Sequence, residues 1–340
     1  MAAMRVAAVG FGYWGPNLVR NLARLEDAEL VALCDASEQN RAKASVTYPD
    51  VAVFASIEEL LASDARPEAI VIASSAPTHH SLAKTALEAG LHTFVEKPLT
   101  LTSADAAELV RLAGERGRVL MVGHLMLYHA AIEWIRDYIA SGELGEVRYV
   151  YAQRLNLGKV RTEENAFWSL APHDVSMVLH LLGEDPTRVS ANGAAYINDG
   201  VQDTIFANLT FASGKMANIH VSWLDPHKTR KLTVVGSKKM LVFDDMQATE
   251  KVWVYDKGVE PAEALAYGED LTLRFGDITV PFIRMTEPLG VEVRHFFDCC
   301  RSGATPRSSG VDGLRVVQVL EAVDTSVAAG GAPVEIDLDL

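Results

Sequence analysis

A chain of 340 residues with a formal net charge of −14 is long enough for about two domains and too acidic for nucleic acid or an anionic membrane surface to be its main partner. Its three cysteines, two of them adjacent at Cys299 and Cys300, make neither a disulfide framework nor a zinc spacing, which points to a reducing compartment. No apolar stretch is long enough to span a bilayer and no leader precedes the first strand, so a cytoplasmic protein is expected.

The run Val6–Val9 reads as a buried strand that turns through Gly10-Phe11-Gly12-Tyr13-Trp14-Gly15 into a helix opened by Pro16. This is the GxGxxG pattern of a dinucleotide site: Gly10 permits the tight turn, Gly12 lets backbone approach a pyrophosphate, and Gly15 allows close helix–strand packing. Pro16 suits the first helical position, where its missing N–H costs nothing and the dipole faces the phosphates. A second apolar strand, Leu30–Cys34, ends at Asp35, roughly 20 residues past the last glycine. A carboxylate there accepts the adenosine ribose hydroxyls and repels a 2′-phosphate, which favours NAD over NADP. Arg41 is the feature that keeps NADP open, and a solvated turn residue is the other reading of Asp35.

Strand and helix continue to alternate as in a parallel sheet covered on both faces. Ser56 to Glu59 forms a capping box, Ala69–Ala73 is a buried strand, and a helix from about Thr78 ends at Gly90. Leu91–Glu96 is the next strand, Thr102 caps a helix that ends near Gly117, and Val119–Gly123 closes the series. Beyond Gly123 one amphipathic helix carries Ile132, Ile135 and Ile139. Alternating strands then follow over 147–156, 203–211, 215–223, 229–235 and 240–243, with hairpin turns at Ser213-Gly214 and Gly236-Ser237. Pro172–Leu182 and 313–327 read as helices, and 261–288 has no assignment.

Three places carry candidate chemistry. Glu96-Lys97-Pro98 follows the carboxyl end of a parallel strand, the edge at which open α/β sheets bind ligands. The Lys97 ammonium can hydrogen-bond a substrate oxygen and stabilise an oxyanion; a surface lysine paired with Glu96 is the alternative. His173, in the first turn of a helix opened by Pro172, meets the positive dipole end, which keeps its imidazole neutral and fit for general-base work, although a packing histidine fits the same position. Arg154, Asn156, Lys159 and Arg161 gather positive charge at a strand end, where guanidinium forks suit a pyrophosphate. A solvated loop balanced by Glu163 and Glu164 is the competing reading, and Tyr149 and Trp168 are candidates to stack on sugar or base. No clustered metal spacing is present, so no metal is expected.

The glycine loop, Asp35, Ser74-Ser75-Ala76-Pro77, Glu96-Lys97-Pro98 and the His173-Asp174 helix with its following strands resemble the glucose-fructose oxidoreductase/inositol dehydrogenase/MocA family over nearly the whole chain. The stretches 12–17 and 163–174 are similar to its nucleotide-sugar 3-dehydrogenase branch. The resemblance implies that Lys97 and His173 flank the reacting carbon and that His80 lies near the nicotinamide ribose; Ser74, Ser75, Pro77, Glu96 and Lys97 are expected to join the glycine loop around NAD. Arg154, Asn156, Arg161, Trp168 and Ser169 are expected, from their own chemistry, to meet the substrate with Lys97 and His173. Many relatives carry an aspartate where this chain has Ser169, so the imidazole lacks its usual partner.

The reading as a whole is an α/β protein: an N-terminal Rossmann domain over 1–123 and, over 124–340, an α+β domain with a large open, mostly antiparallel sheet for substrate binding and oligomerisation as a dimer or tetramer. It is expected to be an NAD-dependent oxidoreductase moving hydride at a sugar carbon, C3 of a nucleotide-sugar foremost. Dehydrogenases of inositol, free sugars or deoxy-ketosugars, and a non-catalytic cofactor sensor, are the alternatives.

Overall fold

The computed structural model describes residues 3–261 and 271–336 and divides into two compact units. The first holds the residues up to Tyr128 together with Thr286–Gln318, and the second holds His129–Met285 with the residues from Val319 onward. The expected boundary after Gly123 therefore falls five residues short, and a late segment returns to the first unit.

In the first unit, strands β1 (Met4–Val9), β2 (Ala28–Cys34), β3 (Ala52–Phe54), β4 (Ala69–Ile72), β5 (His92–Glu96) and β6 (Leu120–Gly123) form one sheet in the order β3-β2-β1-β4-β5-β6. Every pairing in it is parallel. Strand order reverses between β1 and β4, which opens a crevice at their carboxyl ends. The connecting helices are α1 (Gly15–Leu22), α2 (Glu38–Thr47), α3 (Ile57–Ala62), α4 (His79–Glu88) and α5 (Ser103–Arg116). Their starts follow local chemistry: the hydroxyls of Ser56 and Thr102 accept the amides of Glu59 and Asp105 at 3.2 and 3.1 Å. Pro16 stands second rather than first in α1, because Gly15 already has helical backbone.

The second unit begins with α6 (Ala130–Ala140). Strand β7 (Val147–Leu155), helices α7 (Ala166–Leu170) and α8 (Pro172–Leu182), and strands β8 (Pro186–Ala194), β9 (Thr204–Phe211), β10 (Met216–Ser222), β11 (Thr229–Gly236), β12 (Met240–Asp244), β13 (Val252–Pro261) and β14 (Leu271–Thr279) follow. With β15 (Val334–Glu335) they build a nine-stranded sheet ordered β14-β13-β12-β11-β7-β10-β9-β8-β15, in which β7 and β10 are the parallel pair. Residues alternate across β7: Val150, Ala152 and Arg154 are buried, whereas Tyr149 and Tyr151 face outward. Tyr149 is thus on the sheet's exposed face, not the face that carries α8.

The sequence reading did not identify β3, β8, β13, β14, β15, α2, α7 or the helix α9 (Pro288–Ser302), and it began the last helix, α10 (Gly310–Ala328), three residues late. Valine, phenylalanine and cysteine dominate 291–300 and have weak helical propensity, so packing decides α9. Leu289, Val293, Phe296 and Phe297 are buried along it, and Arg301 pairs with Asp27. Residues 262–270 of the segment without assignment lie outside the described residues. Among the described residues no helix is long and apolar enough to cross a membrane.

Candidate active site

The glycine loop is shaped by two close approaches. Gly10 has φ +95°, and a Cβ on it would stand 2.6 Å from the Ala73 backbone; a Cβ on Gly15 would stand 2.0 Å from the Gly10 carbonyl. Both positions admit glycine alone. A Cβ on Gly12 would meet only the Asn40 amide nitrogen at 3.9 Å, so protein packing does not account for that glycine. Backbone left bare beside open space at a helix start suits a pyrophosphate. Of the other loop residues, Phe11 is buried against Tyr48, Tyr13 is 98% exposed, and Trp14 turns inward.

Asp35 braces this loop from the end of β2. Its Oδ2 accepts the Phe11 amide at 2.6 Å and the Asn40 side chain at 3.1 Å, and its Oδ1 accepts the Ser37 amide at 2.8 Å. A carboxylate has roughly four acceptor positions, so capacity remains for a ribose hydroxyl. The Arg41 guanidinium folds back onto the Asp35 and Ala36 carbonyls at 2.9 and 2.8 Å. Ser74 and Ser75 follow β4, with the Ser74 hydroxyl 2.7 Å from that of Thr78 and Pro77 inside the 3-10 turn Ala76–Thr78.

Lys97 follows β5 in a cis Lys97-Pro98 bond. Glu96 is held by two donors: Oε1 accepts the Trp14 indole N–H at 2.6 Å and Oε2 the Lys97 amide at 3.2 Å. Burial pushes this carboxyl up to about 7, against the pull of the Lys97 charge and these two donors. His79, to which no sequence motif gives a role, is buried with Nδ1 2.8 Å from the Pro98 carbonyl and Nε2 3.2 Å from that of Ser74. It ties the β4 and β5 ends together. His124, next after β6, is fully buried, and burial with the nearby Lys97 charge brings it down to about 3. Its place at the carboxyl edge of the sheet was the available signal.

His80, expected beside the nicotinamide ribose, is engaged by α5 instead. Its Nε2 lies 2.7 Å from Glu108 and 3.8 Å from Asp105, while Lys84 holds Glu108 at 2.7 Å. His80, Asp105 and Glu108 offer ligand atoms within 4.8 Å of one another, and the Lys84 ammonium already occupies Glu108.

In the second unit His173 is the second residue of α8, half-buried, directly after Pro172. The phosphate role expected for Arg154 is corrected: its Nε and Nη2 reach Asp174 at 2.6 and 3.2 Å, and both residues are buried. A guanidinium neutralised in this way, beneath the sheet surface, has no charge to offer a phosphate. Asp174, read as a helix-start charge, is that partner. Trp168 is corrected likewise. Its indole N–H donates to Asp324 of α10 at 2.6 Å, Asn165 donates to the same carboxylate at 2.8 Å, and the ring is 9% exposed. It anchors α7 to α10.

Ser169 sits one turn before His173, its amide 3.2 Å from the Asn165 carbonyl. The Asn156 side chain covers Gly158, where a Cβ would come within 2.2 Å. Arg161 is exposed with Nε 3.1 Å from Glu164, as the balanced-loop reading had it.

Comparison with known proteins agrees with this architecture. The profile described as "Oxidoreductase family, NAD-binding Rossmann fold" matches residues 4–124, and the GFO/IDH/MocA C-terminal domain matches residues 132–242. UDP-N-acetylglucosamine 3-dehydrogenase of Acidithiobacillus ferrooxidans is 27% identical over 97% of this chain and 99% of its own. Its solved structure superposes with a TM-score of 0.79 at 26% identity, over 97% of this chain and 99% of that one. Myo-inositol 2-dehydrogenase of Thermotoga maritima is 24% identical over 91% of this chain and 92% of its own. A protein from gentamicin A biosynthesis, solved in complex with NAD, is 25% identical with a TM-score of 0.82, covering 99% and 97% of the two chains.

Proposed function

This chain belongs to the Gfo/Idh/MocA family of NAD-binding oxidoreductases, and from that premise we propose that it moves hydride between nicotinamide and a sugar CH–OH carbon, C3 of a nucleotide-sugar foremost. The observation that carries the choice of substrate is the full-length likeness to a UDP-N-acetylglucosamine 3-dehydrogenase. Lys97 supplies an ammonium to the substrate oxygen, where it stabilises the negative charge that develops on that oxygen. His173 takes the hydroxyl proton in oxidation and returns it in reduction. Gly12, Asp35, Ser74 and Ser75 hold the cofactor, which supplies the hydride acceptor when bound.

The burial of Arg154 favours a second reading. With that guanidinium neutralised by Asp174, Lys159 and Arg161 are what remain of the basic loop for a pyrophosphate, and a substrate without one, an inositol or free sugar, needs neither. One panel decides: nucleotide-sugars, inositols and free sugars assayed by NADH absorbance, each with NAD and with NADP. Turnover of UDP-N-acetylglucosamine or its uronic acid with NAD is expected. Turnover confined to inositol or free sugars selects the second reading, and preference for NADP removes Asp35 from its ribose role. Lys97→Met, which keeps length and removes charge, is expected to lower kcat at least a hundredfold with NAD affinity near wild type; unchanged kcat refutes the role given to Lys97.

A further inference from the structure

Behind the Glu96 carboxylate lies a second buried carboxyl that the reaction above does not use. Phe94 of β5 and Phe296 of α9 pack edge to face with centroids 5.8 Å apart. Phe94 and Glu96 share one face of their strand, two residues apart, and Glu292 and Phe296 share one face of their helix, four residues apart. Each of these steps advances roughly 6 to 7 Å, so the phenylalanine contact brings Glu292 beside Glu96 when α9 runs against the strand. The Glu96 charge is accordingly the one that acts on Glu292.

Glu292 has 0% exposure, and neither of its oxygens has a hydrogen-bond partner among the described residues. The same is true of both ring nitrogens of His124. Space is tight here: a Cβ on Gly123 would stand 3.0 Å from the Glu96 carboxyl. The charged and titratable groups around the pair include Lys97 and His124 from the sheet edge, Tyr128, His295 of α9 with its ring 5.4 Å from that of Tyr128, and Arg307 lying over the Tyr128 ring at 5.0 Å. Helix α1 presents the neutral amide of Asn21 to α9, while its Arg20 is occupied by Glu287 at the helix start. Among the described residues no cation donates a hydrogen bond to either Glu292 oxygen. Two carboxylates side by side in a dry pocket cannot both ionise, and Trp14, the Lys97 amide and the Lys97 charge all favour the negative charge on Glu96.

We propose that Glu292 is the protonated member of a buried carboxyl pair with Glu96, and that its O–H, directly or through one bridging water, holds the Glu96 carboxylate in its bonds to Trp14 and the Lys97 amide. Glu292 is thus a positioning residue. Its service to catalysis rests on the reading of Lys97 given above; the pairing itself does not. Burial, reinforced by the Glu96 charge, raises the Glu292 carboxyl well above its ordinary range.

The test uses the full chain without cofactor, where Trp14 fluorescence, isolated by subtracting a Trp14→Phe variant, follows the ionisation of Glu96 between pH 5 and 9. One transition near neutrality is expected, and Glu96→Gln is expected to abolish it. Glu292→Gln keeps a neutral donor and is expected to leave the midpoint in place. Glu292→Leu removes the donor and is expected to raise the midpoint by about one unit, a tenfold gain in proton affinity. Coincidence of the leucine variant with wild type overturns the pairing, and so does a fall of the midpoint in Glu292→Gln, which would mean that an anion had been removed. Infrared difference spectra of wild type against Glu292→Gln at pH 8 supply a check on the unaltered protein: absence of a protonated-carboxyl stretch overturns the proposal. Because these readouts need no turnover, a Lys97→Met variant that stays active refutes the reading of Lys97 and leaves them unmoved.

Discussion

At the scale of single residues, the first unit buries titratable groups that water does not reach. His124 and Glu96 respond to burial in opposite senses: the imidazole is brought down to about 3 and the carboxyl up to about 7. The consequences for stability also oppose. Glu96 binds its proton more tightly folded than unfolded, so its contribution is full below the ordinary carboxyl range and is lost as pH rises through about 7. His124 binds its proton more weakly folded, so its contribution is present above the imidazole value of roughly 6.5 and is lost as pH falls toward 3. Each group contributes a limiting slope of about 1.4 kcal/mol per pH unit within its window. His124→Leu is therefore expected to flatten the fall in urea-unfolding free energy between pH 6 and 4 relative to wild type. An unchanged slope would mean that His124 is solvated or protonated in the native state.

At the scale of elements, the strongest correction concerns how β7 meets α8. Arg154 and Asp174 form a bidentate pair between a strand and the first turn of the helix that carries His173. Removing one partner leaves a buried charge uncompensated, at a cost of about 3 to 5 kcal/mol. Arg154→Met is expected to lose that much by urea denaturation, and the double variant Arg154→Met/Asp174→Leu to recover most of it. A solvent-facing phosphate ligand would show less than about 0.5 kcal/mol in the single variant, so the measurement separates the two roles. The sequence displayed Arg154 and Arg161 as equals in one basic stretch. Strand parity divides them, since Arg154 lies on the buried face with Val150 and Ala152, while Arg161 lies beyond the strand and stays exposed.

At the scale of the molecule, the first unit is discontinuous in sequence. Helix α9 covers α1 and is clamped to it and to the turn before β2 by the Arg20–Glu287 and Arg301–Asp27 pairs. The Ser308 carbonyl accepts the Val122 amide at 2.8 Å beside β6. A fragment ending at residue 128 loses the apolar cover formed by Leu289, Val293, Phe296 and Phe297. It is expected to lack a cooperative thermal transition, since four large side chains at roughly 1.5 to 3 kcal/mol each rival the whole stability of a small domain. Circular dichroism of that fragment, against one in which a flexible linker joins residues 3–128 to 286–318, checks this. Equal cooperativity in both would make α9 dispensable.

The sequence by itself determined whatever depends on neighbours along the chain. The glycine loop, the cap at Ser56, the left-handed stop at Gly117 and the start of α8 at Pro172 were legible because backbone sterics and hydrogen bonding within one turn decide them. The placement of Lys97 at a sheet edge followed from the same strand-and-helix alternation. Only tertiary structure decided what each long polar side chain meets. Glu96 bonds to Trp14, Arg154 to Asp174, Trp168 to Asp324 and His80 to Glu108; these partners lie 20 to 156 residues apart, beyond the reach of any rule confined to one turn. A side chain's charge advertises chemistry in sequence, but burial and the partner that burial selects determine whether that charge is offered to a ligand or neutralised within the fold.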